Sequence, residues 1–300
     1  MTAAVALPFR IGARTVWRVR RRLVRLPLTL EQVLKSEPPA LPPSDGDGYL
    51  LISVPVPALG PLLAAQPGLR PFVRQRYRRF YADLGQGFDA WLARFSGKSR
   101  STLKRKVRRF AERSGGAIDL RCYRTPAEAE DFYRHARAVS ALSYQERLLD
   151  AGLPEGDEAL ADMRTRAARD AMRGWVLFLD GRPLSYLYAP AEGTTLVYLY
   201  LGYDPAAADL SPGTVLLFEA MRGLMEEGRF CLFDFTDGEG RQKQLFATGE
   251  AECLDLLLLR PTPANLLAGR SLAAFDAAVA RAKRLVLALR LEGLARRLRR

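Results

Sequence analysis

The sequence predicts an α+β or α/β fold, a mixed and mostly antiparallel sheet flanked by helices, with a basic amphipathic helix at each terminus. Three observations carry that expectation. Residues 175–179 (Trp-Val-Leu-Phe-Leu) and 184–188 (Leu-Ser-Tyr-Leu-Tyr) flank a turn at Asp180-Gly181-Arg182-Pro183, the pattern of a β-hairpin. A third run, residues 195–201, follows Glu192-Gly193 and leads through a Gly/Pro/Ser/Asp loop, 202–213, into a helical pattern at 214–225. Residues 229–235 are then nearly continuously apolar, as a central strand is.

Three hundred residues at 48% hydrophobic can bury a substantial core. No apolar run reaches the roughly 18 residues that span a bilayer, and the strongest, 254–259, is interrupted by Asp255. The apolar patch at 3–9 precedes an arginine run, which puts charge on the wrong side for a secretory signal. A cytoplasmic location is expected, with a peripheral place on the inner face of the membrane. Cys122, Cys231 and Cys253 are odd in number, far apart and set in strand-like segments, so buried reduced thiols are expected rather than disulfides or a metal site.

The net charge of +13 suggests nucleic acid until it is located. Residues 10–25 hold seven Arg and no acid, and residues 281–300 hold eight Lys or Arg against Glu292. The rest carries 31 basic and 32 acidic residues, so the body is neutral and nucleic acid is an unlikely partner. Both ends also have helical spacing: Val16, Val19, Leu23 and Leu26 share one face, and Leu287, Leu291, Leu294 and Leu298 another. Such helices can pack on their own domain, or lie on an anionic membrane at about 1 kcal/mol per basic residue near the surface.

Taken in order, residues 35–48 read as a Pro/Ser/Asp/Gly linker behind the arginine arm. Residues 49–55 form a strand, 71–79 a helix, 80–84 a short strand and 88–95 a short helix capped by Gly87 or Asp89. Leu103, Val107 and Phe110 mark a basic amphipathic helix over 99–113, started by Ser99 or Ser101. It offers phosphate binding or a plain solvated face; without interleaved exposed aromatics it has charge but no base stacking. A strand at 117–123 and helices at 126–142 and 157–172 precede the hairpin, and 250–259 is the last strand. The resulting segments are 1–48, 49–172, 173–262 and 263–300.

A strand that reaches a helix through a loop such as 202–213 presents free N–H groups at the positive end of the helix dipole, an anion seat. The polar loop 236–244 follows a buried strand, where ligands of open sheets tend to sit. A P-loop is disfavoured: GxxxxGK[ST] is absent, and Pro212 removes one amide donor. The lone His135 cannot build an imidazole metal site, though it can act as a base or pack structurally.

Over about residues 88–260 the chain resembles the GNAT-type acyl-CoA N-acyltransferases, and within them the large-domain, CelD-like subgroup associated with cellulose biosynthesis and related to the Fem peptidyltransferases. The resemblance rests on the basic segment 98–109, the hairpin 177–188, the Tyr200-Leu-Gly-Tyr-Asp-Pro205 to Ser211-Pro-Gly213 loop, and Phe233-Asp-Phe-Thr-Asp-Gly238 to Lys243. The subgroup usually has Tyr before that lysine. Here it is Gln242, so no role of that tyrosine carries over.

The resemblance implies an acyl-CoA as co-substrate, with no prosthetic group. Its pyrophosphate would lie on Ser211, Gly213, Thr214 and Val215, and its pantetheine along Leu201, Gly202 and Tyr203. Lys243 would contact phosphate or an anionic acceptor, or remain solvated. A neutral amine would attack the thioester directly, with catalysis by proximity and by N–H groups on the oxyanion. Asp234 or His135 would serve as base and Tyr144 or Tyr203 as acid; Asp234 could instead cap the following loop, and the tyrosines could be rim residues with bonded hydroxyls.

The basic ends suggest a membrane-associated acceptor: a long-chain sphingoid base, as for a bacterial ceramide-synthase-like N-acyltransferase, or a lipid-linked or polysaccharide precursor. The rival readings are a nucleic-acid-binding protein using the 99–113 helix, a Fem-like aminoacyl transferase, and a catalytically silent binding module.

Overall fold

The computed structural model describes residues 2–12, 14–143, 152–238 and 240–288. They form two compact units, one within residues 79–250 and one within residues 2–78 with 251–288. The strands in chain order are β1 (Thr2–Ile11), β2 (Arg14–Pro27), β3 (Gly48–Pro55), β4 (Arg70–Asp83), β5 (Asp119–Tyr123), β6 (Met172–Leu179), β7 (Arg182–Glu192), β8 (Thr195–Val197), β9 (Tyr200–Tyr203), β10 (Leu232–Asp234) and β11 (Gly249–Leu259).

In the 79–250 unit the strand order is β4-β10-β8-β7-β6-β5, with β9 also on β7. All pairs there are antiparallel except β8 with β10. Side chains alternate across the pleat, so the sheet has two buried faces. On one, Leu177, Leu184 and Leu187 pack with Val215, Phe218 and Met221 of the Pro212–Glu227 helix and with Leu103 and Phe110 of the Gly97–Arg113 helix. On the other, Val176, Phe178, Tyr186 and Tyr188 meet Phe132 and Ala136 of the Ala129–Ser140 helix and Met163 of the Asp157–Ala168 helix. The β6–β7 turn takes positive φ at Asp180 and Gly181, as expected of the hairpin. This is the mixed, mostly antiparallel, helix-flanked sheet that the sequence predicts.

In the other unit β1 pairs antiparallel with β2, β2 parallel with β3, and β3 antiparallel with β11. Both faces of β11 are buried: Leu254, Leu256 and Leu258 lie in one cluster, and Leu257 and Leu259 in another with Leu7, Leu23 and Leu272. Asp255 accepts from Ser53 N–H, Tyr77 O–H and Gln75 Nε2, which satisfies the charge inside that apolar run.

Four expectations need correction. The N-terminal arginine segment is not a helix but the β1–β2 hairpin, whose arginines, the half-buried Arg21 excepted, are exposed. Residues 71–79 belong to β4, not to a helix. The stretch after the Leu30–Lys35 helix returns β2 to its parallel neighbour β3, so the arginine arm is part of a sheet. Of the thiols only Cys253 is buried; Cys122 and Cys231 are exposed, and all three are free. At the other end the Pro263–Ala288 helix is present, and residues 289–300 of the expected basic helix lie outside the described residues. Among the described residues no helix is long and apolar enough to cross a membrane.

Candidate active site

The expected strand 195–201 is in fact two strands separated at Tyr198-Leu199, and that break makes the site. β8 runs parallel to β10 in the register Leu232↔Thr195 to Asp234↔Val197, and the last bond of the pair is Tyr198 N–H to Asp234 O at 2.8 Å. Leu199 N–H then turns to Tyr188 O, and β9 pairs with β7. On the other side Phe235 N–H goes to Phe80 O, so the chain leaving β10 follows β4. Two parallel neighbours therefore part at their C-terminal ends, and Leu199 is exposed there.

Beyond that point one edge of β9 pairs with no strand among the described residues. Ladder bonds alternate along an antiparallel strand, and Asp204 N–H is bonded to Leu184 O. The N–H groups of Leu201 and Tyr203 accordingly face the free edge. Gly202, between them, has its Cα against the Tyr186 ring: a Cβ there would lie 2.5 Å from Cε1. Its requirement is packing rather than approach of a ligand.

β9 leads through the Pro205–Leu210 3₁₀ turn to the Pro212–Glu227 helix. Ser211 sits in the left-handed region as N-cap and makes no side-chain cap. Pro212 has no N–H, and Thr214 and Val215 both donate to Ser211 O. The seat is thus narrower than the sequence suggested: one first-turn N–H, Gly213, with the Ser211 and Thr214 hydroxyls and the helix dipole. Leu201 and Tyr203 border it, 3.3 and 3.6 Å from where a Gly213 Cβ would stand.

Lys243 and Gln242 reach the same place from the short Arg241–Phe246 helix. Gln242 Nε2 donates to Gly213 O at 3.2 Å, which ties that helix to the seat. Lys243 Nζ donates to Asp237 O at 2.5 Å and Thr236 Oγ1 at 3.4 Å, 5.5 Å from the Tyr198 ring centre. Burial lowers its pKa from the ordinary 10.5, against the pull of Asp237 and Asp234.

The Asp234 carboxylate is engaged by partners of its own. It is fully buried, and both carboxylate oxygens accept from Arg79, the closest contact being 2.5 Å from Nη2. Thr236 N–H also donates to it at 2.8 Å, holding Thr236 at φ 60° where the chain turns away. This is the capping alternative, completed by an arginine 155 positions away.

His135 lies with the second face of the sheet, opposite the Pro212–Glu227 helix, edge-on to Phe178 at 5.0 Å. Its pKa is lowered by burial and by neighbouring Arg134. The structure thus brings Leu201, Gly202, Tyr203, Ser211, Gly213, Thr214, Val215 and Lys243 to one region, with the Arg79-bound Asp234 carboxylate buried behind Lys243 and Thr236, and leaves His135 on the other face of the sheet. Tyr144 lies outside the described residues.

Sequence reasoning missed Tyr198, Arg79 and the Gln242 bond. Tyr198 packs against Phe233 and Phe235 where the strands part, and burial raises its pKa, which keeps the phenol protonated.

Residues 97–244 match the family model described as acetyltransferase (GNAT) domain. Among solved structures, the C-terminal DUF2156 domain of a protein described as a lysylphosphatidylglycerol synthetase, from Agrobacterium fabrum, superposes with a TM-score of 0.50 at 15% identity, covering 77% of this chain and 72% of that one. L-PGS from Bacillus licheniformis gives 0.48 at 14%, over 78% and 73% of the two chains. FemX gives 0.48 at 13%, over 68% and 71%. No curated protein sequence matches the chain.

Proposed function

We propose, since this chain belongs to the GNAT superfamily of acyltransferases through residues 97–244, that it moves an acyl group from coenzyme A to a membrane-associated amine such as a long-chain sphingoid base. The observation that carries the donor half is the parting of β9 from β10 beside a helix N-terminus. A pantetheine arm carries two amides and can add to a bare strand edge as a short strand does. The Leu201 and Tyr203 N–H groups are the donors for it, and the Gly213 N–H with Ser211 and Thr214 is the seat for the first phosphate. Cations of the Gly97–Arg113 helix stand beside the Pro205–Leu210 turn, where Arg109 meets Asp209 at 3.2 Å.

The thioester then lies near Tyr198 and Leu199. A neutral amine attacks its carbonyl carbon, the tetrahedral intermediate expels the thiolate, and the ammonium proton leaves through water. Tyr198 fits the acid that protonates the thiolate better than Tyr203, which borders the phosphate end. Lys243, beside Tyr198, supplies positive charge to the developing oxyanion. Asp234 holds the loop that carries Thr236. The amphiphilic acceptor is supported by the surface chemistry of the N-terminal hairpin, described below.

A second reading, aminoacyl transfer from tRNA, is favoured by one feature: Arg100, Lys104, Arg105 and Arg108 line an open groove of about 470 Å³ on the Gly97–Arg113 helix, suited to a phosphate backbone. One experiment separates the two. The protein is titrated calorimetrically with acetyl-CoA and long-chain acyl-CoAs, then incubated with an amine panel while thiol release and product mass are followed, with aminoacyl-tRNA as the competing donor. Acyl-CoA binding and a long-chain amide are expected; failure of every acyl-CoA to bind overturns the proposal.

A further inference from the structure

Ile11, Val16 and Trp17 are 48%, 58% and 67% exposed, and all three stand at the tip of the β1–β2 hairpin, where the pairing ends at Ile11↔Arg14. Arg10, Arg14 and Arg18 are exposed among them, and no carboxylate pairs with any of the three among the described residues. Towards the base the hairpin is anchored: Leu7 and Leu23 are buried with Leu272, and Arg74 bonds both Pro8 O and Asp276.

The Pro263–Ala288 helix runs along this hairpin toward its tip. Arg21 Nη2 donates to Ala264 O at 2.9 Å, and Phe9, paired with Trp17, meets Phe275 edge-on at 5.2 Å. From Arg21 to Trp17 the strand advances about 13 Å, and from Ala264 to Phe275 the helix advances about 16 Å, so the two stay in step. The helix then continues for about 20 Å to Ala288, with Arg281 and Leu285 exposed.

We propose that the hairpin tip and the distal part of this helix form one docking face for an anionic lipid bilayer. Aliphatic Ile11 and Val16 gain nothing from phosphates or base faces, but they can enter the acyl boundary of a membrane. An indole is suited to the headgroup level, and arginines there keep their stems in the apolar layer and their charges on lipid phosphates. The strands stay paired, so insertion strips no backbone polar group of its partner. The face does not depend on the acyl-transfer reading, because it can be tested without donor or acceptor.

The test uses the full chain with phosphatidylcholine vesicles, with and without phosphatidylglycerol, read by flotation and by tryptophan emission. Trp91 and Trp175 are buried, so a shift on adding vesicles reports Trp17. Binding and a blue shift are expected only with the anionic lipid, weakening as salt rises. Trp17→Ala should weaken flotation roughly tenfold or more. Ile11→Ser with Val16→Ser should reduce both readouts, and Arg10→Gln with Arg14→Gln and Arg18→Gln should abolish the preference for anionic lipid.

Circular dichroism checks that the variants fold, and the arginine and serine variants report independently should one set fail. Absence of vesicle binding, or binding indifferent to the apolar variants, overturns the proposal. So does tRNA binding lost in the same variants without vesicle binding, which would assign the tip to nucleic acid, or a self-association lost with Trp17→Ala, which would assign it to a second copy.

Discussion

Arg79 and Arg18 show the two uses this chain makes of arginine. In the 79–250 unit Arg79 is buried against Asp234, and Arg173 is buried with Asp170 and Glu227. At the hairpin tip Arg10, Arg14 and Arg18 are exposed, and among the described residues no carboxylate pairs with them. Burying a charge without a partner costs several kcal/mol, so interior arginines come matched and cancel in the net charge. Among the described residues the surplus on the hairpin is therefore a displayed charge, and what lies between the arginines decides what it is for.

The sharpest way to break this contrast is to remove one interior partner. Asp234→Ala leaves Arg79 buried without its carboxylate, and a loss of about 3–5 kcal/mol in denaturant unfolding is expected. The pair Arg79→Met with Asp234→Leu should recover much of it, because neither charge is then stranded. If Asp234 were also the general base, turnover of Asp234→Asn would fall well beyond the loss of folded protein that the broken Arg79 pair accounts for.

The next effect falls on binding. Gly213→Asp places a carboxylate beside its own first-turn N–H and crowds Leu201, so acyl-CoA affinity should drop roughly ten- to hundredfold by calorimetry. Unchanged affinity in a folded protein would move the anion seat elsewhere.

A smaller effect is expected from Lys243. Its pKa is lowered by burial, so between the folded value and the unfolded 10.5 the unfolded chain binds more protons, and stability should rise with pH across that window. Below the folded value both states are protonated and the slope vanishes. Lys243→Met should remove this component, seen as a flatter alkaline limb than in the parent protein. An identical slope in both proteins would show that the ammonium is not desolvated at Tyr198.

How far these features were legible in the sequence follows from the distance over which each is determined. The β6–β7 hairpin and the Pro212–Glu227 helix are local patterns, and they appear where residues 175–188 and 214–225 place them. The break at Tyr198-Leu199 is not local: an unbroken apolar run from Leu196 to Leu201 reads as one strand, and only the separate partners of β8 and β9 divide it. Arg79 and Asp234 are likewise joined by topology alone.

The arginine hairpin misled differently. Val16, Val19, Leu23 and Leu26 fit helical spacing, yet a ribbon covered on one face tolerates arginine at every exposed position, so the period of two is blurred. What decided the matter was the complementary strand β1, whose residues 3–9 looked merely apolar.

The smallest effect sharpens the comparison from the other side. The Gly97–Arg113 helix displays as many cations as the hairpin, but its apolar residues Leu103 and Phe110 are buried, leaving no exposed apolar chain between the charges. Lys104→Gln with Arg105→Gln should therefore change stability by no more than about 0.5 kcal/mol and leave vesicle binding unaltered. The same pair should weaken acyl-CoA a few-fold at low salt while leaving an acyl-pantetheine without a nucleotide untouched, because only the former carries the distal phosphates that these cations can reach. Equal weakening of both ligands would mean that the helix acts on the pantetheine groove through packing rather than charge. A loss of vesicle binding would mean that charge alone suffices for docking, and the apolar tip of the hairpin would lose its assigned part.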